Sequence, residues 1–396
     1  MLSLDKVFNA QSVLKSIIRE TNLVRAYGIA PECELYLKPE NLQITGSFKV
    51  RGSAYKIAML SNDEKERGVI ACSAGNHAQG VALAATKNGI KSLICLPDTA
   101  PISKVEATKG YGADVCLVEG CYDDAYKKAL ELKDSMGYTF VHPFDDENVI
   151  AGQGTIALEV LNELDDVDAI VVPIGGGGLI SGIAYTVKQI RPNVKVYGVQ
   201  VSGAPSMFNS VNAGEICCLD SVSTIADGIA VKQPGENTYA LVRQYVDGIA
   251  LVSDDEVASA ILSLIEKQKM IAEGAGAAAV AAVMFDKFGL KGQKVAAIVS
   301  GGNIDVTSLS RVIDRGLLKS GRSSSLLIEL IDKPGQLKEI SRIIADCGGN
   351  VTGVHYEKGN TESVNGCFLR IEMETRDFVH VELITRSLRS EGFKLL

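Results

Sequence analysis

The sequence predicts an α/β protein with parallel-type sheets in two lobes, followed by a small C-terminal βαββαβ unit. Three observations carry this. From about Val69 to Val299, short continuous apolar runs alternate with amphipathic stretches, and strands that are apolar on both faces belong to parallel sheets covered by helices. The alternation runs twice, which gives two lobes. Near Lys319 the pattern changes: Ser320-Gly-Arg-Ser-Ser-Ser325 is polar and flexible in composition, as a linker is.

In chain order, Gly68-Val-Ile-Ala-Cys72 is a strand followed by a helix-like stretch to Lys87. Ser92–Leu96 precedes a helical Val105–Lys109, and Asp114–Val118 precedes Tyr122–Asp134. Asp168–Val172 leads into Leu179–Gln189, and Val194–Val201 and Lys294–Val299 add two strands. The apolar run Gly274 to Phe285 falls short of the roughly 20 residues of a membrane span and reads as a buried helix. Beyond the linker, Leu326–Ile331 is a strand, Asp332-Lys-Pro-Gly335 a turn, and Gln336–Cys347 a helix stopped by Gly348-Gly-Asn350. Asn350–Glu357 and Gly366–Glu374 are strands, Arg376–Ser390 a helix, and Phe393–Leu396 a last strand, completing a ferredoxin-like unit. The predicted boundaries are 1–318 (with the small lobe, about 45–150, inserted in the large one), a linker at 319–325, and 326–396.

Hydrophobic residues at 46% and charged residues at 22% describe an ordinary soluble enzyme. A net charge of −8 without basic runs argues against nucleic acid or anionic membrane as partner. The 9 cysteines form no Cys-x-x-Cys pair and the 4 histidines no metal-spaced pair, so we expect reduced thiols, no metal and a cytoplasmic protein. The N-terminus has an early acid and no apolar core of signal-peptide length.

No phosphate loop of the Gly-x-x-x-x-Gly-Lys type and no Gly-x-Ser-x-Gly elbow occurs. Gly175 to Gly178 lies where a dinucleotide fingerprint would, but Ile180 takes the third glycine position. Four segments remain. In Thr45-Gly-Ser-Phe-Lys-Val-Arg-Gly52, Lys49 stands among small residues and an aromatic; desolvation there would make its amine nucleophilic. Alone, the segment reads better as a surface lysine at a helix start. Pro173-Ile-Gly-Gly-Gly-Gly-Leu179 joins a strand to a helix, and backbone amides backed by a helix N-terminus form a phosphate cradle. Four glycines exceed what one tight turn requires. Cys72-Ser-Ala-Gly-Asn-His-Ala-Gln-Gly80 offers Ser73, Asn76 and amides up to His77 to a carboxylate, and fits a simple helix cap equally well. Val299-Ser-Gly-Gly-Asn303 presents a hydroxyl at a strand's carboxyl end, although a glycine-rich turn is the simpler reading.

Together and in this order, Ser-Phe-Lys-x-Arg-Gly, Ser-Ala-Gly-Asn-His, Gly-Gly-Gly-Gly-Leu and Ser-Gly-Gly-Asn resemble the threonine dehydratase (threonine ammonia-lyase) family. These are pyridoxal-phosphate enzymes of the tryptophan-synthase-β-like fold. The resemblance covers about residues 5 to 316, with further matching segments at Ala151–Thr155, Ala226–Gly228 and Ala272–Gly276. It implies that Lys49 carries pyridoxal phosphate covalently and shuttles the Cα proton, with Phe48 near the cofactor ring and Asn76 on its 3-oxygen. Gly175, Gly176, Gly177, Gly178 and Leu179 would hold the phosphate. Ser300 would face the pyridine nitrogen, where a hydroxyl, unable to hold a ring proton, favours elimination over transamination. Ser73, Ala74, Gly75, Asn76 and His77 would grip the substrate carboxylate. Similar serine racemases carry a second serine in that loop; Ala74 here argues for elimination.

The tail from about Ser325 resembles an ACT domain, through Asp332-Lys-Pro-Gly-Gln-Leu337 followed by Gly349-Asn350. It implies an amino-acid or nucleotide effector, the amino acid favoured, near Gly335 and Asn350, and a homodimer or homotetramer; a module that only aids assembly is the alternative. An isoleucine- or valine-inhibited enzyme would be biosynthetic and a nucleotide-activated one catabolic. The expected reaction is conversion of L-threonine to 2-oxobutyrate and ammonia, with L-serine to pyruvate as a secondary activity. A serine-preferring dehydratase, a serine racemase and an inactive amino-acid sensor are the alternatives.

Overall fold

In the computed structural model, which describes residues 2–357 and 366–396, the strands in chain order are β1 (Val24–Arg25), β2 (Glu34–Pro39), β3 (Val69–Cys72), β4 (Ser92–Pro97), β5 (Asp114–Val118), β6 (Thr139–Phe140), β7 (Ala169–Pro173), β8 (Lys195–Val201), β9 (Gly248–Val252), β10 (Lys294–Val299), β11 (Ser323–Ile331), β12 (Asn350–Glu357), β13 (Gly366–Glu374) and β14 (Lys394–Leu395). The chain divides into two units, one through Val306 and one from Thr307 to Leu396.

In the first unit, a six-stranded sheet runs β1-β2-β10-β7-β8-β9 and a four-stranded one β5-β4-β3-β6. All pairings are parallel except β1 with β2. These are the two predicted lobes. β3 and β7 are buried along their whole length, which is why they read as unbroken apolar runs. The helix Gly274–Met284 is buried from Gly274 to Val283 and packs across β7, β8, β9 and β10, as a helix apolar all round must.

Three of the four segments flagged as candidate sites lie at the carboxyl end of a parallel strand. β3 runs into Ser73–Gly75 and the helix Asn76–Lys87, β7 into the glycine loop and the helix Gly178–Ile190, and β10 into Ser300–Asn303. Loops there collect ligands in open α/β folds. The helix Lys49–Ala58 is pinned from behind by the helix Glu147–Glu163, whose N-cap Asp146 accepts from the Asn148 and Val149 amides at 2.8 and 3.1 Å. The two helices cross backbone to backbone. A Cβ on Gly152 would lie 2.7 Å from the Arg51 carbonyl oxygen, and one on Gly52 2.7 Å from that of Val149. Lys49, at the first turn of the pinned helix, is thereby fixed in depth.

The second unit contains all but the first residue of the helix Val306–Lys319 and carries a sheet ordered β12-β13-β11-β14, antiparallel throughout. With the helices Gln336–Asp346 and Phe378–Ser390 this is the predicted ferredoxin-like βαββαβ order. Ile328, Leu330, Ile340, Ile344, Leu369, Ile371, Met373, Ile384 and Leu388 form its core. Ser323–Ser325, linker-like in composition, form the first rungs of β11 opposite Glu374–Glu372, because a backbone ladder accepts any side chain with room to point outward.

Candidate active site

Lys49 opens its helix behind Phe48. Its Nζ donates to the Pro143 carbonyl oxygen at 3.1 Å and sits 5.3 Å from the centre of the Phe48 ring. Burial lowers the amine's pKa to about 8, partly opposed by the Glu273 carboxyl. The surface-lysine alternative is thus excluded by position. The Phe48 amide donates to the Ser300 carbonyl oxygen at 3.1 Å, and Ser47 bridges Gly301, so the lysine segment and the loop after β10 are laced together. Ser300 is 3% exposed, with its backbone carbonyl held by the Phe48 amide.

The glycine loop turns through Gly177, the N-cap of its helix at φ 100°, a conformation that glycine adopts without strain. Among the described residues nothing accepts from the amides of Gly175 through Leu179. Those amides stand at a helix N-terminus, where the dipole and the free N–H groups favour an anion. A Cβ on Gly176 would lie 2.4 Å from the Phe144 ring and one on Gly178 2.9 Å from the Phe144 backbone. The loop is therefore seated against the residue next to Pro143, which accepts from Lys49. Leu179 sends its side chain into the large-lobe core and offers the loop only its amide.

In the loop after β3, the Ser73 hydroxyl accepts from the Gly75 amide at 3.1 Å. Ser73, Ala74, Gly75 and Asn76 are partly exposed, and a Cβ on Gly75 would meet nothing within 4 Å, which leaves open space beside the amides. The His77 ring points elsewhere. It is buried, its Nε2 donates to the Val141 carbonyl oxygen at 2.8 Å, and desolvation with Lys49 nearby pushes its pKa down to about 3. It is a neutral structural histidine, and only its backbone remains available to a ligand. The Asn76 Nδ2 donates to Glu273 at 2.7 Å, and its Oδ1 accepts from Asn303 at 2.8 Å. The structure thus gathers all four flagged segments around one cleft.

Three features escaped the sequence reading. The turn His142–Asp146 ties Lys49 to the glycine loop. His142 Nδ1 accepts from the Phe144 and Asp145 amides at 3.3 and 2.8 Å, and Asp145 accepts from the Thr238 amide at 3.0 Å. Its only sequence signal is a histidine, a proline and two acids before an apolar helix. The second is Arg51, fully buried two residues after Lys49. It makes 2.8 Å contacts from Nε and Nη2 to both oxygens of Glu40, and holds Glu159 at 2.5 and 2.8 Å. Lys38 joins the same group, 2.7 Å from Glu159. The third is Glu273.

Gly335 and Asn350 do not come together. Gly335 caps the N-terminus of the helix Gln336–Asp346 at φ 95° and follows the end of β11. Asn350 opens β12, donates to Glu374 at 2.9 Å, and lies level with the start of β11. Because β11 and β12 run in the same direction through β13, the two residues stand at opposite ends of the sheet. Within one chain the two residues named for the effector therefore do not meet at one place.

A two-lobed parallel fold that sets a desolvated amine beside unpaired helix-terminal amides defines an enzyme built around a phosphorylated carbonyl cofactor. The chain belongs to the pyridoxal-phosphate dependent enzyme family, whose model matches residues 14–301. The L-threonine ammonia-lyase of Thermotoga maritima is 48% identical, over 100% of this chain and 99% of that protein. Among solved structures, the processed form of threonine deaminase isoform 2 from Solanum lycopersicum superposes with a TM-score of 0.77 at 38% identity, covering 80% of this chain and 88% of that one. Maize serine racemase gives 0.76 at 34% identity, over 80% and 98%. No helix among the described residues is long and apolar enough to cross a membrane.

Proposed function

We propose that the protein converts L-threonine to 2-oxobutyrate and ammonia, with L-serine to pyruvate as a slower activity. The observation that carries this is the buried Lys49 amine, its pKa lowered to about 8, beside a row of amides with no acceptor of their own. The residues fit pyridoxal phosphate: the amides of Gly175–Leu179, which have no acceptor among the described residues, would hold its phosphate, the Ser300 hydroxyl would face its ring nitrogen, Asn76 its ring oxygen, and Phe48 would lie against its face. Bound there, the cofactor supplies an electron sink that acidifies the Cα–H bond of an amino acid.

The chain's own residues do the rest. Within the loop Ser73 to His77, the Ser73 and Gly75 amides are taken by the Cys95 carbonyl oxygen and the Ser73 hydroxyl; the amides of Ala74, Asn76 and His77, at the N-terminus of the helix Asn76–Lys87, bind the substrate carboxylate. At pH 7 roughly one Lys49 amine in ten is neutral, and that form takes the Cα proton as general base. The β-hydroxyl departs as water, and the released enamine tautomerises to an imine. A second water hydrolyses it to the 2-oxo acid and ammonia. Ala74 offers no proton to the opposite face of Cα, which supports elimination over racemisation.

Incubating the cofactor-loaded protein with L-threonine should yield 2-oxobutyrate. L-Serine should react more slowly, by up to about 100-fold, since one methyl group in a pocket discriminates no more than that. Formation of D-serine without keto acid, or no product from either amino acid, would overturn the assignment.

The second unit is assigned as an ACT-type module that binds an amino-acid effector. Its strand order supports this, as does the free-standing Gly335 turn, where a Cβ would meet nothing within 4 Å. A homodimer or homotetramer is part of this reading, supported by β12, which pairs on one side only among the described residues. Isoleucine or valine should raise the melting temperature of the full chain. Removing residues from Ser323 onward should abolish that response while product formation persists. An unchanged response in the truncated protein would refute the regulatory role.

A further inference from the structure

Glu273 has no part in the chemistry above, yet it lies against Asn76. It caps the helix Gly274–Met284, is 5% exposed, and its amide donates to the Gly301 carbonyl oxygen at 3.1 Å. Its Oε1 takes one Asn76 N–H at 2.7 Å. On the other side, Asn303 uses its two N–H groups on Asn76 Oδ1 at 2.8 Å and on the Thr45 carbonyl oxygen at 2.7 Å. Gly301 makes the room: a Cβ there would lie 2.4 Å from Glu273 Oε1 and 3.2 Å from Asn76 Nδ2.

The Asn76 amide is therefore gripped at both ends, by an acceptor on its nitrogen and a donor on its oxygen. Flipped over, it would set oxygen against carboxyl oxygen and NH2 against NH2, forfeiting two hydrogen bonds. One N–H remains outside the clamp. We propose that Glu273 is a positioning residue of this site, holding Asn76 with Asn303 so that its remaining N–H meets the ring oxygen of the cofactor. The inference rests on the reading that Asn76 faces that oxygen.

The clamp has a pH response. Burial pushes the Glu273 carboxyl up, and Asp227 of the turn Asp227–Ile229 pushes the same way. The bond from Asn76 opposes this, as do Lys104, paired with Asp227 at 2.7 Å, and Lys49; the balance falls at about 7. The carboxyl is thus neutral below about 7 and anionic above it. The anion grips the Asn76 N–H harder and places a negative charge beside the site.

The visible absorbance of the cofactor-loaded protein, titrated from about pH 5.5 to about pH 9, tests this. Wild type should inflect near neutrality. Glu273→Gln keeps an oxygen for Asn76 but cannot ionise; it should retain the absorbance maximum and lose the inflection. Glu273→Ala removes the acceptor, and should move the maximum and weaken cofactor retention by about 10-fold, the effect of one hydrogen bond to a charged group. A wild type with no neutral inflection overturns the inference without any variant, and so does an unchanged inflection in Glu273→Gln. Absence of cofactor absorbance in the wild type would instead overturn the reading of the site itself.

Discussion

Replacing Lys49 with alanine should abolish 2-oxobutyrate formation, with a loss on the order of 10³-fold or more, the scale of a missing nucleophile and general base. The substitution removes the group that reaches from the helix Lys49–Ala58 to the Pro143 carbonyl oxygen, while Arg51, which anchors that helix, stays in place. Folding should therefore survive, and the melting temperature of the cofactor-free variant should match that of cofactor-free wild type. The check is product release measured beside cofactor absorbance. Full activity in the variant would remove Lys49 from the chemistry. Loss of activity together with loss of the folded state would show that its role is structural.

Arg51→Ala should do the opposite, damaging the fold more than any step of the reaction. Arg51 is the shared counter-ion of Glu40 and Glu159, with side-chain exposures of 0% for Arg51 and Glu40 and 10% for Glu159. Removing one partner of a buried ion pair leaves a charge without compensation and costs about 3–5 kcal/mol. The pH dependence follows from Glu40. Burial alone would raise its pKa, but the Arg51 guanidinium, with Thr21 and Lys38, holds it below the usual carboxylate value. A depressed carboxylate contributes stability above its ordinary range, and that stability is lost as pH falls through the folded value. In Arg51→Ala the largest of the interactions that lower it is gone, burial counts for more, and Glu40 takes up a proton more readily. The gap between variant and wild type in urea midpoint should thus be widest near neutrality and narrow towards about pH 5. An equal gap at both values would mean that lost packing, not charge, sets the cost.

The segments that touch a ligand were legible because their chemistry is local. A run of glycines after a strand such as Ala169–Pro173 needs only its neighbours to become an anion cradle. Lys49 announced itself through small flanking residues, but its burial could not be read, since the walls come from Pro143 and the loop after β10. Arg51 and Glu273 look like ordinary charged residues in sequence; only the fold takes them out of water. β2, Glu34–Pro39 with the pattern Glu-Leu-Tyr-Leu-Lys-Pro, reads as a polar-faced stretch because its Lys38 is buried among acids rather than exposed. For Gly335 and Asn350 sequence alone carries no distance: the register of β11 and β12 on β13 decides that they stand apart within one chain.

The placement of β2 beside β10 has a consequence for how the molecule is made. Apart from the two-residue β1, Glu34–Pro39 pairs with Lys294–Val299, whereas the sheet β5-β4-β3-β6 draws on residues 69–140 alone. On the ribosome the smaller sheet has its whole sequence early, and the larger cannot close until nearly the entire first unit has emerged. Long-range pairing of this kind is slow, and until β10 arrives β2 and β7, the strands it joins, leave open edges of the sort that chaperones and neighbouring chains recognise. Since Ser300 and Asn303 sit just past β10, the last strand to arrive completes the sheet and the catalytic cleft in one event, so no nascent fragment ending before it should acquire activity.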